Sequence, residues 1–262
     1  MKISIVTITY NSSKTIIDTF ESILGQLYRP LEYVIVDGGS TDSTLNIIKS
    51  YEKKFIDKGI EYRWSSGKDN GISDAFNKGI INTTGEIIGI INSDDKLNKN
   101  ALNAIYEKYD EKTDVYYGNC IIFSNENKDE YIAIPKFSKN ERSLFMGMSI
   151  YHPATFITKK AYNKYGLYNE MFRMCMDREL LLRFYTKKAD FKYIDYPLAC
   201  YREGGTNQIN YDKTAEENMN ISVLNGFSSR KAKLIRMYFK MHDKMWLFTK
   251  KIGLEKLFHK KI

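Results

Sequence analysis

Apolar residues recur along the first half of this chain with two alternating periods. Ile3–Thr9 is a continuous apolar and β-branched run, and Asn11-Ser12-Ser13 behind it are candidates to cap a helix reaching about Gly25. Leu31–Val36 is a second strand-like run ending at Asp37-Gly38-Gly39-Ser40, after which Leu45, Ile48 and Phe55 recur at helical spacing. Ile60–Ser65 predicts a third strand, Gly71–Ile81 a short helix, and Glu86–Ile91 a strand buried on both faces. Continuous apolar strands separated by helices predict parallel strands with helical crossovers, an α/β fold.

The second half is less regular. Strands are expected at Val115–Phe123, Tyr131–Ile134 and Ala154–Thr158, and another at Ile194–Tyr201 interrupted by Pro197. Helices are expected near Lys139–Met148, at Lys159–Tyr165 and at Asp177–Lys188. There is no internal repeat and no linker before about residue 227. Residues 1–227 therefore read as one mixed domain, with a first half over 1–110 and a second half over 111–227. In the tail, 228–262, Leu234, Tyr238, Met241, Met245, Phe248 and Ile252 make one apolar helical stripe, with Lys233, Lys240, Lys244 and Lys251 beside it and Trp246 and Phe258 as further aromatics.

Composition sharpens this picture. With 262 residues, 43% hydrophobic, the chain can fill a core, which excludes a disordered or fibrous protein. The net charge of +8 suggests a polyanion or membrane partner until it is located. Residues 228–262 carry eleven Lys/Arg against Asp243 and Glu255, a net of +9, while residues 1–227 hold 29 basic and 30 acidic side chains. The body is balanced and the excess lies in the tail. A helix packed on the catalytic domain or a second subunit, or one docked on an anionic membrane, both suit such a stripe. Nucleic acid is disfavoured because the body offers no basic groove. Cys120, Cys175 and Cys200 form no C-x-x-C pair, and no leader-like segment or long apolar span is present, so a cytoplasmic setting is expected.

Ligands of open α/β sheets bind beyond the carboxyl ends of the strands. There this sequence places Thr9-Tyr10-Asn11, Asp37-Gly38-Gly39-Ser40-Thr41-Asp42, Asp69-Asn70-Gly71 and Asn92-Ser93-Asp94-Asp95. Each alone reads as a turn or a helix cap. Two adjacent carboxylates after a fully apolar strand, however, resist sharing a site without a cation. A hard divalent metal with a diphosphate resolves that conflict.

These strings, with Asp69-Asn70-Gly71-Ile72-Ser73-Asp74-Ala75-Phe76-Asn77-Lys78-Gly79 and Thr84-Gly85-Glu86-Ile87-Ile88, resemble family 2 glycosyltransferases of the nucleotide-diphospho-sugar (GT-A) fold. Asp177-Arg178-Glu179-Leu180-Leu181-Leu182-Arg183 looks like that family's acidic catalytic helix. The resemblance spans roughly residues 2–205. It implies that Thr9, Tyr10 and Asp37 line the uracil and ribose of a UDP-sugar, and that Asp69, Asp74, Asn77 and Lys78 lie near its diphosphate and sugar. It further implies that Asp95 holds magnesium or manganese with Asp94 nearer the ribose, and that Asp177 is the general base of an inverting transfer. Two departures stand out. Gly38 replaces a second acid found in many relatives, and no Q-x-x-R-W string of processive synthases occurs, which favours single-sugar transfer.

The chemistry stands beside that resemblance. A metal stabilises the charge developing on a nucleoside diphosphate leaving group, and a carboxylate opposite takes the acceptor hydroxyl's proton. Asp177 can equally be an N-cap, with Glu179 as the alternative base. His152, before a strand in the second half, is a candidate contact to substrate or metal, or a structural histidine. The expected enzyme moves one sugar to a lipid-linked or glycan acceptor in bacterial surface polysaccharide assembly, peripheral at the inner membrane face. A nucleotidyltransferase and a non-catalytic sugar-nucleotide-binding protein are the rivals. The absence of G-x-G-x-x-G and G-x-x-x-x-G-K-[ST] excludes a dinucleotide dehydrogenase and a phosphate-loop ATPase.

Overall fold

The computed structural model describes residues 1–124, 130–140, 143–203 and 211–251. The alternating pattern of the first half becomes β1 (Ile3–Thr9), α1 (Ile16–Leu24), β2 (Leu31–Asp37), α2 (Thr44–Asp57), β3 (Ile60–Ser66), α3 (Ile72–Ile81) and β4 (Ile87–Ile90). β1 pairs in parallel with β2 on one side and β4 on the other, and β2 pairs in parallel with β3. Every residue of β2 and β4 is buried, as continuous apolar runs between two helical layers should be.

The chain then runs through β5 (Lys96–Leu97), α4 (Ala101–Lys108), β6 (Val115–Phe123), β7 (Glu130–Ala133), α5 (Ser143–Met146), β8 (Thr155–Thr158), α6 (Lys159–Tyr165), α7 (Met176–Thr186), β9 (Phe191–Arg202), α8 (Tyr211–Leu224) and α9 (Ser229–Lys251). One mixed sheet results, in the order β3-β2-β1-β4-β8-β6-β9-β5 with β7 against β6. β9 continues through Pro197, and its parallel register with β6 shifts around Asn119. That irregularity absorbs the proline's missing donor.

Alternate residues of the buried strands feed two cores. Ile3, Ile5 and Tyr33 pack with Phe20 of α1 and Phe55 of α2, whereas Val6 and Ile88 pack with Phe76 of α3 and Leu180 of α7. α3 lies so close to β1 that a Cβ on Gly79 would stand 2.3 Å from Val6 Cγ1. This contact fixes the loop before α3 against the strand ends.

Three expectations change. The helix expected near Lys139–Met148 is only Ser143–Met146 among the described residues, preceded by a single 3₁₀ turn at Lys136–Ser138. Asp94-Asp95 precede a two-residue strand rather than a helix. The stripe of α9 is not packed on the domain: Leu234, Met241, Met245 and Phe248 are each more than half exposed. Ala232 in its first turn is buried, and α9 packs on α8. Ile252 and Phe258 lie outside the described residues.

Candidate functional site

The ends of β1, β2, β3 and β4 open on one edge, and the loops there are bonded mainly to one another. Asp37 is completely buried. Its carboxylate accepts from the Gly39 and Ser40 amides (3.2 and 3.1 Å), the Ser66 hydroxyl (2.6 Å) and the Ser40 hydroxyl. Gly39 turns the chain at φ +83°, a conformation glycine takes without strain. Asn11, at φ 51°, accepts from the Thr41 amide through its side chain, and its own amide donates to Ser40 Oγ (both 2.8 Å). Asp42 accepts from the Ser13 and Thr44 amides, and these hydrogen bonds hold its carboxyl well below the usual range.

Three side chains at this edge stand outside the network around Asp37. Tyr10 is 62% exposed. Thr9 is buried, and its hydroxyl has no hydrogen-bond partner. Such orphaned hydroxyls are rare and mark a place where a ligand or water completes the bonding. Asp69 is half-buried; its Oδ1 accepts from the Gly71 amide at 2.9 Å. Asp74 accepts from the Asn70 amide (2.8 Å) and pairs with Lys78 (2.9 Å) one helical turn on. Asn77 is committed elsewhere: its amide brackets the backbone of Tyr168, donating to the carbonyl and accepting from the N–H at 3.0 and 2.9 Å. It ties α3 to the loop before α7 and is not presented to a ligand.

The two acids after β4 differ. Asp95 is 1% exposed, and its carboxylate accepts from the Arg202 amide (3.0 Å) and Asn92 Nδ2 (3.3 Å). Burial, reinforced by the Asp94 charge, pushes its carboxyl up to about 7. Asp94 is half-buried, and no other described residue donates a hydrogen bond to its carboxylate. Burial raises its pKa while the Arg202 charge opposes the rise. Asp95 is thus held by the β9 backbone at Arg202, while Asp94 is the more open of the two carboxylates. Arg202 fixes both, donating through Nε to the Asp94 carbonyl (2.9 Å) and through Nη2 to Asp18 (2.9 Å).

Asp177 stands in the first turn of α7, one residue inside the helix rather than at its cap. It is half-buried beside a small cavity that it lines with His152, Thr155, Tyr162 and Tyr168. His152 Nε2 lies 2.9 Å from the Tyr168 hydroxyl, and Phe76 covers the imidazole at 5.2 Å between ring centroids. Burial lowers the His152 pKa, with Asp177 acting in the other direction. His152 is thus a buried neighbour of Asp177. Glu179, the alternative base, is 4% exposed and holds Arg183 through both oxygens (2.8 and 3.0 Å). Arg183 in turn binds the carbonyls of Tyr165, Gly166 and Leu167.

The residues that set α7 in place carry no sequence signature. Glu217 of α8 accepts from the amides of Arg173, Met174 and Cys175 at 3.0, 2.8 and 2.9 Å. It supplies from another helix the acidic cap that the N-terminus of α7 needs. Arg178, 1% exposed, returns the contact by donating to Asn218, Ser222 and the carbonyls of Leu144 and Phe145. Burial lowers its pKa to about 10. Tyr201 of β9 joins the two halves: burial, then Asp95, Asp94 and Asp177, push its hydroxyl up to about 12. Among the described residues no group of three His, Cys, Asp or Glu side chains is placed to hold a metal unaided, and no helix is long and apolar enough to cross a membrane.

Comparisons with known proteins agree with this architecture. The family model "Glycosyl transferase family 2" matches residues 4–166, more than half of the chain. "Glycosyltransferase GlyG" of Streptococcus pneumoniae is 31% identical over 133 residues, 50% of this chain and 43% of that relative. A Mycobacterium bovis PGL/p-HBAD biosynthesis glycosyltransferase is 29% identical over 215 residues, 80% of either chain. A Campylobacter jejuni GalNAc(5)-diNAcBac-PP-undecaprenol beta-1,3-glucosyltransferase is 27% identical over 126 residues, 48% of this chain and 40% of that one. The chain thus spans less than half the length of the first and third of these relatives. Among solved structures, S. aureus TarS 1-349 in complex with UDP-GlcNAc matches 91% of this chain and 71% of its own, with TM-score 0.65 and 20% identity. The mannosyltransferase PcManGT from Pyrobaculum calidifontis, in complex with GDP-Man and Mn2+, matches 94% and 69% with TM-score 0.65 and 15% identity. With an α/β sheet of GT-A type and the family match over 4–166, the chain is a member of glycosyl transferase family 2 and a transferase.

Proposed function

We propose that this enzyme transfers one sugar, with inversion, from a UDP-sugar to a hydroxyl of a lipid-linked or glycan acceptor in bacterial surface polysaccharide assembly. The observation that carries the reading is the gathering of Asp37, Asp69 and Asp94 at and beyond the ends of β2, β3 and β4, on one edge of the parallel strands. The neighbour holding UDP-GlcNAc supports the donor class, and the undecaprenol-linked substrate named for the Campylobacter relative supports the acceptor class.

Thr9 and Tyr10 line the nucleoside over a loop scaffolded by Asp37, while Asp74 and Lys78 stand toward the diphosphate. Asp94 fits a hard divalent ion, magnesium or manganese: it is a half-buried carboxylate that accepts no hydrogen bond from another described residue, beside a second acid. One carboxylate suffices where diphosphate oxygens and water complete the coordination. When bound, such an ion offsets the charge gathering on the departing diphosphate. Asp177 takes the proton of the acceptor hydroxyl as that oxygen attacks the anomeric carbon. The bond from that carbon to the diphosphate oxygen breaks, and UDP leaves. The exposed stripe of α9, flanked by Lys233 and Lys244, docks the enzyme on an anionic membrane surface, where each basic residue contributes about 1 kcal/mol.

Incubation with UDP-sugars, manganese and an acceptor should release UDP; release of pyrophosphate instead would make the protein a nucleotidyltransferase. Asp177→Asn should retain UDP binding while transfer falls about a thousandfold, the scale of a lost general base. Asp94→Ala should lose donor turnover, and near-normal turnover would remove Asp94 from the metal site.

A further inference from the structure

We infer that Asp69 reads the nucleobase, accepting the N3–H of uracil at a position that Gly38 keeps open. The inference rests on the donor reading above and names the residue that selects its base.

The acid that the family pattern assigns to the base has no capacity left for it. Asp37 is completely buried and accepts four hydrogen bonds from Gly39, Ser40 and Ser66. Its carboxylate builds the loop. The next residue is Gly38, whose amide donates to the Thr9 carbonyl at 2.9 Å and which has no side chain to offer.

What occupies that place is the carboxylate of Asp69, arriving from the loop after β3. A Cβ on Gly38 would stand 2.6 Å from Asp69 Oδ2 and 3.5 Å from Tyr10 Cδ2. Gly38 has no left-handed φ, so its backbone does not demand glycine; the approach of Asp69 does. Asp69 Oδ1 is fixed by the Gly71 amide at 2.9 Å, and Oδ2 accepts no hydrogen bond from a described residue. An outward-facing aromatic ring and a fixed carboxylate therefore meet beside Gly38. A flat base stacked on Tyr10 would present its edge to Asp69 Oδ2.

The edge chemistry then selects uracil over cytosine. A carboxylate is acceptor-only, and uracil offers a ring N–H at position 3. Cytosine offers a lone pair at the same atom, so its edge would leave the carboxylate unpaired and opposed. Sites built around one such hydrogen bond reject the analogue lacking it far more strongly than apolar pockets discriminate by size.

The test is calorimetric titration of UDP, CDP and GDP into the full chain and into Asp69→Asn, with manganese held constant. Asparagine keeps an oxygen for the Gly71 amide and places an amide NH2 where Oδ2 stood. That group donates to cytosine N3 and opposes uracil N3–H. The wild type should prefer UDP to CDP by tenfold or more, and the variant should lose that preference by at least tenfold, moving toward CDP. Gly38→Ala, which crowds Oδ2, should weaken UDP while leaving the ligand-free melting temperature within a few degrees. An unchanged UDP-to-CDP ratio in Asp69→Asn overturns the role of Asp69 and leaves the UDP-sugar reading standing. Tighter binding of GDP than UDP by the wild type, or no binding of any of the three, overturns the UDP-sugar reading and this inference with it.

Discussion

The donor-side loops and the helix that carries Asp177 are held in opposite ways. Around Asp37 the donors and acceptors are themselves loop residues: Asn11, Gly39, Ser40, Thr41 and Asp42 bond to one another across two adjacent strand ends. Asp177 depends on α8, an element some forty residues later, whose Glu217 caps the N-terminus of α7 and whose Asn218 and Ser222 receive Arg178. A self-bonded loop keeps its shape whatever happens elsewhere in the chain. A helix capped from a distance can be moved by changes that touch no ligand. The difference teaches that the proposed donor site and the proposed base are held separately, and that α8 stands between Asp177 and the tail.

That separation breaks most easily at the tail. Met241→Glu combined with Phe248→Glu places two charges on the exposed stripe and removes two apolar side chains from any lipid contact. Each buried side chain of this size is worth about 1.5–3 kcal/mol, so partitioning onto phosphatidylglycerol vesicles should fall about a hundredfold, read by sedimentation. Transfer to a water-soluble acceptor should be unchanged, because the stripe touches neither Asp94 nor Asp177. Sedimentation equal to the wild type would leave α9 as a face for another protein chain.

Glu217→Ala sharpens the comparison from the other side. It leaves three amides at the start of α7 without their acceptor, a loss of about 1–3 kcal/mol in stability. A displaced base is costly, since small misplacements of a reacting group cost one to two orders of magnitude. The expected result is kcat lower by about tenfold with UDP affinity unchanged, and a smaller loss in Glu217→Gln, which keeps one acceptor oxygen. Equal losses in kcat and UDP affinity would mean that the two halves move as one body.

The same contrast explains what the sequence makes legible. The parallel strands are readable because they are buried on both faces and therefore continuously apolar, and the turn residues after them carry their own local chemistry. Asp177 is readable as an acid opening a periodic helix. α8 is hidden because its inward face is polar: Asn218 and Ser222 are buried to receive Arg178, so no apolar stripe forms. The difference in surroundings between Asp94 and Asp95 is hidden too, since it depends on where β9 delivers the Arg202 amide. Asp37 and Glu179 have the right residue type for ligand and base, but each is spent on neighbours that only the fold brings together.

The smallest effect concerns His152, which links α3 through Phe76 to the cavity beneath Asp177. Burial lowers its pKa, and Asp177, the one charged side chain lining that cavity with it, does not cancel the shift. In the unfolded chain an imidazole takes up a proton near pH 6.5, whereas the native imidazole does so only at lower pH. The unfolded state therefore binds more protons in that window, and native stability is complete above about pH 6.5 and declines as the pH falls through it. His152→Gln retains a hydrogen-bonding partner for Tyr168 and removes the titration. Asp94 and Asp95 titrate in both proteins and cancel in the difference. Between pH 7.5 and 5.5 the melting temperature of the wild type should therefore drop further than that of His152→Gln. Equal drops would mean that the imidazole is as easily protonated folded as unfolded, and that the cavity beside Asp177 opens to water. The base would then be held from α8 alone, with no support from the donor half.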